Sequence, residues 1–442
     1  MKAAPTVYDA LTAAAHGHPV IPSDERTGKP IKGLTIKDAS TDPITIKEWW
    51  DTHPTAGIAL LPKKPAITAD TFVWRDPATI PQRQWLYGRH YIRQFISATV
   101  APGGVGKSSL AIVEALAMVT GRNLLGVQSS CPLRVWYWGG EDPLEETERR
   151  IHAACLHFGI GAEDIGGRLF INSGRTTEIV IGASSRNGSA IATPVRDALI
   201  RTISEKEIDA WIIDPFVSSH RVPENDNMAI DAVAKAWAHI ADETDSAGEL
   251  IHHVRKTGGS EVTVEDGRGA VALLNAARSA RVLNVMSKEE GIKFGVAQPR
   301  SYFRVENGKA NMMRPSETAD WFHLRSVLLG NGCGGLVDDS DEVGVVTTWK
   351  LPNPLDGMTS AKVEAAFRRI RAGKWREHAT AANWVGVAIA DALDMDLTDA
   401  TAKAKVKGIV RVWIAAGNLR VIDGLDEKRM PRKFVEVTEE GE

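Results

Sequence analysis

The chain has 442 residues, enough for two or three domains, and its 43% hydrophobic and 25% charged residues are typical of a globular protein. Because 53 basic and 56 acidic residues give a net charge of −3, contact with nucleic acid has to come from a local patch. Three widely spaced cysteines, no apolar run near ~20 residues and no signal-peptide core predict a cytoplasmic protein without a zinc site, a disulfide framework or a membrane partner.

Residues 1–78 are predicted to form a small separate unit. Short apolar segments alternate there with Gly- and Pro-containing turns, such as Thr27-Gly28-Lys29-Pro30. The pattern predicts helices over 8–16 and 45–51 and strands over 19–22 and 57–61.

The segment 98–109, ATVAPGGVGKSS, follows a strand predicted over 95–100 and opens a helix predicted over 110–119. This strand, loop and helix are those of a P-loop, with Ala101 in place of the first glycine. Its glycines let the backbone aim N–H groups at phosphate oxygens, while Lys107 can reach the β- and γ-phosphates and Ser108 can ligate Mg²⁺. The sequence therefore predicts ATP and Mg²⁺ as cofactors. The predicted nucleotide-binding loop is Pro102, Gly103, Gly104, Val105, Gly106, Lys107, Ser108 and Ser109.

Strands and helices alternate after the P-loop, which predicts an α/β domain with a mostly parallel sheet over residues 79–330. In such a sheet, functional side chains collect at the carboxyl ends of the strands. The predicted elements are strands over 131–138, 210–213 and 250–254, helices over 144–158 and 228–242, and a loop over 173–193.

Two carboxylates and two histidines follow predicted strands of this domain. Asp214 ends the strand AWIID and can hold the water shell of Mg²⁺, and Glu141 in GGEDP can activate the attacking water. His252 and His253 end the next strand, where one of them could sense the γ-phosphate; a packed or solvated histidine is the alternative. The following segment, 257–269, is predicted to be a loop that either faces a central channel or lies on the surface.

The C-terminal part is predicted to be a winged helix over 359–442, joined by a linker over 331–358. Helices are predicted over 361–372, 384–394 and 400–417, and a hairpin from strands 419–421 and 433–437. Its basic residues could follow phosphates, or they could form a solvated helix face. These residues are Lys362, Arg368, Arg369, Arg371, Lys374 and Arg376.

The N-terminal unit resembles the opening of bifunctional primase–polymerase domains. The resemblance lies in HPVIPSDERTGKPIKGLTIKDASTDPITIKEWWDTHPTAGIALL, with its Gly-Lys-Pro turn and Trp-Trp helix. No Asp-x-Asp pair occurs between Leu61 and Ala98, where that family carries its metal-binding carboxylates. We therefore interpret the unit as a remnant that no longer polymerises, either a docking or DNA-contact module or a structural cap.

The central domain resembles the RepA-type replicative helicases of plasmids and phages, a RecA-like family of hexameric ATPases. The motifs VAPGGVGKS, YWGGEDPLEETERRIHAA, WIIDP and IHHVRK occur in the family's order. The resemblance implies a homohexameric ring, single-stranded DNA as partner, and an initiator or primase as a possible further partner. By position, Arg278 would be an arginine finger with Arg281 as the fallback, Lys309 a second cationic contact, and Arg150 a residue that couples the site.

Two functions remain open at this point. One is a DNA-dependent motor, such as a replicative helicase of a plasmid, phage or prophage, and the other is an ATP-controlled DNA-binding loader or regulator that unwinds nothing. A partition-type ATPase is disfavoured because Pro102 occupies the position of its signature lysine. Trp85 and Tyr87 could stack on adenine, although core packing is the stronger expectation.

Overall fold

The computed structural model describes residues 6–24, 27–61, 69–185, 188–254, 261–263, 270–310, 312, 318–333 and 339–438. The chain divides into two compact units, Met1–Pro81 and Gln82–Glu442. Among the helices of the described residues, none has both the length and the apolarity that a membrane crossing requires.

The N-terminal unit packs two helices against a two-stranded antiparallel sheet. Helix α1 begins after Thr6, whose side chain forms a capping box with Asp9, and α2 begins after Asp42, whose carboxylate accepts from the Thr45 amide. The helices bury alanine, isoleucine and tryptophan side chains against the first strand. The elements are α1 (Val7–Ala15), β1 (Val20–Ser23), α2 (Pro43–Thr52) and β2 (Gly57–Leu60).

A nine-stranded sheet forms the centre of the second unit. Within the described residues, the strands that precede the C-terminal helices are β3 (Trp85–Tyr87), β4 (Tyr91–Ile92), β5 (Ile96–Pro102), β6 (Val135–Gly139), β7 (Leu169–Ser173), β8 (Gly182–Ser185), β9 (Gly188–Ile191), β10 (Ala210–Asp214), β11 (His220–Arg221), β12 (Ala247–Val254), β13 (Ser279–Val285), β14 (Tyr302–Ala310), β15 (Asp320–Leu328) and β16 (Glu342–Thr348). The order in the large sheet is β16-β15-β14-β13-β5-β12-β10-β6-β7. The six strands from β13 to β7 run parallel, and β14, β15 and β16 extend the sheet antiparallel.

Helices cover both faces of this sheet, and each face has its own hydrophobic core. The helices are α3 (Lys107–Thr120), α4 (Leu144–Phe158), α5 (Ala162–Ile165), α6 (Thr193–Glu205), α7 (Asn227–Glu243), α8 (Ala270–Ala276) and α9 (Lys288–Phe294). One core lies under α3 and α4, and the other lies under α6, α7 and α8. The predicted α/β class with a mostly parallel sheet, as in RecA-like folds, is confirmed.

Two segments differ from the sequence-based expectation. The predicted loop 173–193 contains the β8–β9 hairpin, which pairs with β11. Its Gly, Ala and Ser residues have weak strand propensity, and packing against α7 compensates, since a Cβ on Gly182 would lie 2.8 Å from Val233 Cγ2. The predicted linker 331–358 contains β16, which pairs with β15 along its length, so the nine-stranded sheet continues to Thr348. The segment 257–269 lies outside the described residues except for 261–263.

The C-terminal part has the predicted three helices and hairpin of a winged helix, with one additional short strand. The elements are α10 (Ser360–Arg371), β17 (Trp375–Arg376), α11 (Val385–Leu393), α12 (Ala400–Ala415), β18 (Leu419–Leu425) and β19 (Pro431–Val437). The three strands form a sheet in the order β17-β19-β18. Apolar residues of all three helices and of the inner sheet face form its core, and α12 also packs against α9 of the ATPase sheet domain.

Candidate functional site

The phosphate-binding loop connects the end of β5 to the start of α3. Gly104 has φ +81° and Gly106 has φ +107°, values that L-residues with a side chain rarely adopt. A Cβ on Gly106 would also lie 3.3 Å from the ring of Phe303, whereas the space beside Gly104 is open. The loop therefore bends around an open concavity, with the amino terminus of α3 at its base.

Lys107 is held inside the loop. Its ammonium group donates to the carbonyl oxygens of Ala101 at 3.0 Å and Pro102 at 2.6 Å, and the side chain is buried. Burial lowers the pKa of Lys107 to about 8, although the carboxylates of Asp214 and Glu141 act in the opposite direction. The lysine is thus positioned at the mouth of the loop with its charge close to both predicted carboxylates.

Asp214 lies at the carboxyl end of β10, beside the end of β6. The Tyr137 hydroxyl donates to its carboxylate at 2.7 Å, and the Gly140 amide donates to its carbonyl oxygen at 2.7 Å. Burial and the negative charge of Asp214 raise the pKa of Tyr137 well above its usual value, so Tyr137 remains a neutral donor. Sequence reasoning missed Tyr137; the signal was a polar aromatic residue two positions before the end of a buried strand.

A cavity of about 200 Å³ brings together five of the predicted site residues: Ser108, Glu141, Arg150, Asp214 and His253. Glu141 lies on its wall, and its backbone carbonyl accepts from Arg175 Nε at 2.9 Å. The Ser173 hydroxyl holds Asp142, the residue after Glu141, by donating to its backbone carbonyl oxygen at 2.6 Å. The cavity is lined by Ser108, Tyr137, Gly139, Glu141, Asp142, Thr147, Arg150, Asp214, Pro215 and His253.

Arg150 projects from α4 into this cavity and is paired within its own chain. Its guanidinium lies 2.8 Å from the Asp142 carboxylate and 3.2 Å from that of Glu146. Although burial lowers the pKa of Arg150, these two carboxylates outweigh it and raise the pKa. Arg150 therefore contributes a permanent positive charge opposite Asp214.

The two histidines at the end of β12 point to opposite faces of the sheet, because side chains alternate along a strand. His253 is exposed and lines the cavity. His252 is 4% exposed and its ring lies 6.2 Å from that of Phe216, and burial lowers its pKa to about 4. Of the two candidate histidines, His253 therefore lies at the cavity, and His252 packs away from it as the alternative of a packed histidine describes.

Arg278 and Lys309 lie close together at the end of the sheet opposite the P-loop, near the amino-terminal end of β5. The Arg278 amide donates to the Ile96 carbonyl at the start of β5, and its guanidinium lies 5.8 Å from the Phe95 ring. The Lys309 ammonium donates to the carbonyl oxygens of Leu274 and Asn275 at the end of α8. Both cations are thus separated from their own P-loop by the length of β5.

Arg281 is not available as a fallback finger. It is buried in β13 and makes a bidentate ion pair with Glu114 of α3, at 2.6 and 2.7 Å. Its Nε also donates to Thr99 Oγ1 at 2.8 Å. Tyr87 is likewise buried, which agrees with the core packing expected for it.

A larger cavity of about 1150 Å³ adjoins the outer side of the P-loop. Pro102, Gly103 and Val105 form one wall, and the end of β13 with α9 forms another. The remaining lining is mostly apolar, with Lys288 and Arg300 among its members. Glu261 also lines this cavity, whereas Glu141 and Asp214 do not, so the cavity contributes space beside the loop and neither of the predicted catalytic carboxylates.

The donor set of the small cavity suits a magnesium ion. Mg²⁺ prefers oxygen ligands and usually keeps several waters, and the Ser108 hydroxyl and the Asp214 carboxylate supply oxygens on either side of the cavity. Tyr137 fixes one carboxylate oxygen of Asp214 and leaves the other for a metal-bound water.

Comparison with known proteins identifies two family models that match parts of this chain. Residues 62–259 match the family model described as an AAA domain, a range that contains the P-loop, Glu141, Asp214 and both histidines. The core of the chain is therefore similar to AAA domains. Residues 10–72 match the model of the N-terminal part of bifunctional DNA primase/polymerases, so the N-terminal unit is similar to that domain. Arg278 and Lys309 lie beyond the matched range.

Among solved structures, the RadB recombinase is similar in fold. The two chains share 12% identity, and the similarity covers 53% of this chain and 89% of the recombinase, with a TM-score of 0.35. A TM-score this low supports no functional conclusion.

Proposed function

We propose that the protein is an ATP-hydrolysing motor that assembles into a ring and moves along single-stranded DNA. Its most specific role would be that of a replicative DNA helicase of a plasmid, phage or prophage. The observation that carries the proposal is the distance between Arg278 and the P-loop of the same chain. The AAA-type domain and the primase–polymerase-like domain support a role in DNA metabolism.

In this proposal the small cavity binds the triphosphate end of ATP. The P-loop amides and Lys107 hold the phosphates, and Ser108 and Asp214 hold Mg²⁺, the latter through water. The bound ion would neutralise charge on the β- and γ-phosphate oxygens. Glu141 orients and deprotonates the attacking water, and His253 contacts the γ-phosphate from the end of β12.

Hydrolysis in one subunit would need a cation from the next. β5 has seven residues, and at ~3.3 Å per residue its two ends lie roughly 20 Å apart, so Arg278 cannot reach the phosphates of its own chain. Among the described residues Arg278 has no carboxylate partner, unlike Arg150 and Arg281. A head-to-tail contact would place Arg278 and Lys309 of one subunit against the P-loop of its neighbour, and repetition of such a contact closes a ring. Six subunits are proposed from the helicase resemblance alone.

Mixing of inactive variants tests the shared site. Arg278→Ala should bind ATP normally but lose hydrolysis by about 10³-fold or more, the usual effect of removing an arginine finger. Lys107→Ala should lose ATP binding. Equal mixing of the two would create intact interfaces at about a quarter of positions, and ATPase activity should reappear.

The control is Arg201→Ala, which removes an exposed arginine of α6 and should leave turnover unchanged. Full turnover in Arg278→Ala would remove the finger assignment. Absence of recovery in assembled mixtures would contradict the shared site.

A further inference from the structure

The small sheet of the C-terminal domain has two chemically different faces. In antiparallel pairs, directly opposed residues share a face. Arg376 lies opposite Phe434, Phe434 opposite Ile422, and Glu436 opposite Arg420, which places all of them on the outer face. The alternate residues, Leu419, Val421, Val435 and Val437, belong to the hydrophobic core of the domain.

The outer face has more basic than acidic side chains, and two of the basic side chains cover the ring of Phe434. Lys374 Nζ and Arg376 Cζ lie 5.7 and 5.9 Å from the centroid of the same Phe434 ring, which is 6% exposed. Among the described residues neither cation has an ion-pair partner, whereas Arg420 and Arg432 lie 2.5 and 3.3 Å from carboxylates. The helix dipole favours cations in the last turn of α10. Lys374, Arg376, Arg420 and Arg432 lie outside that helix, on or beside strands, so the dipole does not account for them. An array of this kind complements a phosphate backbone.

The tip of the β18–β19 hairpin exposes apolar side chains in a fixed turn. Leu425 and Met430 are 55% and 51% exposed. The Asp426 carboxylate accepts from the amides of Lys428 at 3.0 Å and Met430 at 2.9 Å, and the Asp426 amide donates to the Met430 carbonyl. The turn is therefore ordered before any ligand binds, which lowers the entropic cost of contact.

The third helix, α12, is poorly placed for insertion into a DNA groove. Helix-turn-helix proteins contact bases with the start of this helix. Here a Cβ on Gly295 of the ATPase domain would lie 2.9 Å from Thr401 Cγ2, so the first turn of α12 is already in contact with protein. Carboxylates that repel phosphates also precede α12: Asp399 is its N-cap, Asp396 lies in the preceding loop, and Asp391 and Asp394 lie in the last turn and at the C-cap of α11.

We propose that the wing, and not the third helix, is the nucleic-acid-binding element of this domain. Lys374, Arg376, Arg420 and Arg432 follow the sugar-phosphate backbone, and Leu425 and Met430 at the tip contact bases that have lost their pairing partner. Leu and Met side chains of other DNA-binding proteins insert between stacked base steps at a cost in unstacking, and unpaired bases at a junction would not impose that cost. The preferred ligand is therefore a junction between duplex and single strand. This site is separate from the ATPase site and goes beyond the motor function proposed above.

Binding by the full-length protein without ATP tests this proposal independently of the motor. Fluorescence anisotropy would compare a single strand, a blunt duplex and a forked duplex over a range of salt concentrations. Wild type should bind the fork most tightly. Lys374→Ala/Arg376→Ala should weaken binding to all three DNAs and reduce the salt slope on duplex by about two, since each phosphate contact contributes ~0.9.

The tip and the third helix supply the matched variants. Leu425→Ser/Met430→Ser should weaken fork binding by about tenfold, because the apolar side chains no longer become buried against bases, and leave blunt-duplex binding unchanged. Lys407→Ala/Arg411→Ala removes two exposed cations of α12 and should leave all three affinities unchanged. Lys374, Leu425, Met430, Lys407 and Arg411 are exposed, whereas Arg376 is half-buried with its Nε covered, so matching thermal melts would establish intact folding of the variants. Unchanged binding in both wing variants, or a loss confined to the α12 variant, would overturn the proposal.

Discussion

Replacement of Arg281 by methionine should destabilise the ATPase core, because it leaves the buried carboxylate of Glu114 without its ion-pair partner. Arg281 and Glu114 have side-chain exposures of 8% and 5%, and the pair makes two short hydrogen bonds. After the replacement, the Tyr91 hydroxyl at 3.1 Å would be the remaining partner of Glu114. Removing one member of a buried ion pair typically costs about 3–5 kcal/mol in the free energy of unfolding. That is a large share of the roughly 5–15 kcal/mol that stabilises a typical domain.

The double variant Arg281→Met/Glu114→Leu separates stability from catalysis. An apolar pair of similar volume often replaces a buried ion pair at little cost. We therefore expect urea unfolding to show a large loss in Arg281→Met and recovery of most of it in the double variant. ATPase activity should recover together with stability, since Arg281 contacts no reacting atom in this account. Normal stability in Arg281→Met, or a stable double variant without activity, would refute the reasoning.

Two further predictions concern the phosphate site. Tyr137→Phe removes the hydrogen bond to Asp214. The Mg²⁺ concentration needed for half-maximal ATPase activity should therefore rise by about 10- to 100-fold, as measured by Mg²⁺ titration. An unchanged Mg²⁺ curve would contradict this role of Tyr137. Because burial lowers the pKa of Lys107 to about 8, the free protein should lose its ammonium charge above that pH, and affinity for a non-hydrolysable ATP analogue should fall as pH rises from 7 to 9. Equal affinity across that range would show that Lys107 stays charged.

The P-loop and the strand-end carboxylates were predictable because their chemistry is tied to local sequence. Glycines with left-handed φ and a Lys-Ser pair at a helix start need no knowledge of distant contacts. Asp214 and Glu141 end parallel strands, so the sheet alone brings them together. The sequence could indicate that one of the two histidines lies at the site but not which one, because the burial of His252 depends on where Phe216 packs.

Long-range packing decided what the sequence could not reveal. Arg281 has the spacing of a functional arginine, yet its partner Glu114 lies 167 residues away, so its role as a structural ion pair follows only from the fold. The weakly patterned strands β8 and β9 form because neighbouring strands and helices complete them, whereas the Val- and Thr-rich sequence of β16 carries a strand signal that the linker prediction overlooked. The contact of α12 with Gly295 was invisible for the same reason.

The most direct test of a DNA-dependent motor is steady-state ATP hydrolysis with and without single-stranded DNA, measured on wild type and Glu141→Gln. The account predicts that DNA stimulates the wild type and that the variant, which keeps the size and hydrogen bonding of Glu141 but not its basicity, loses hydrolysis in both conditions. Wild-type hydrolysis that is indifferent to DNA would contradict the motor and favour an ATP-controlled loader or regulator.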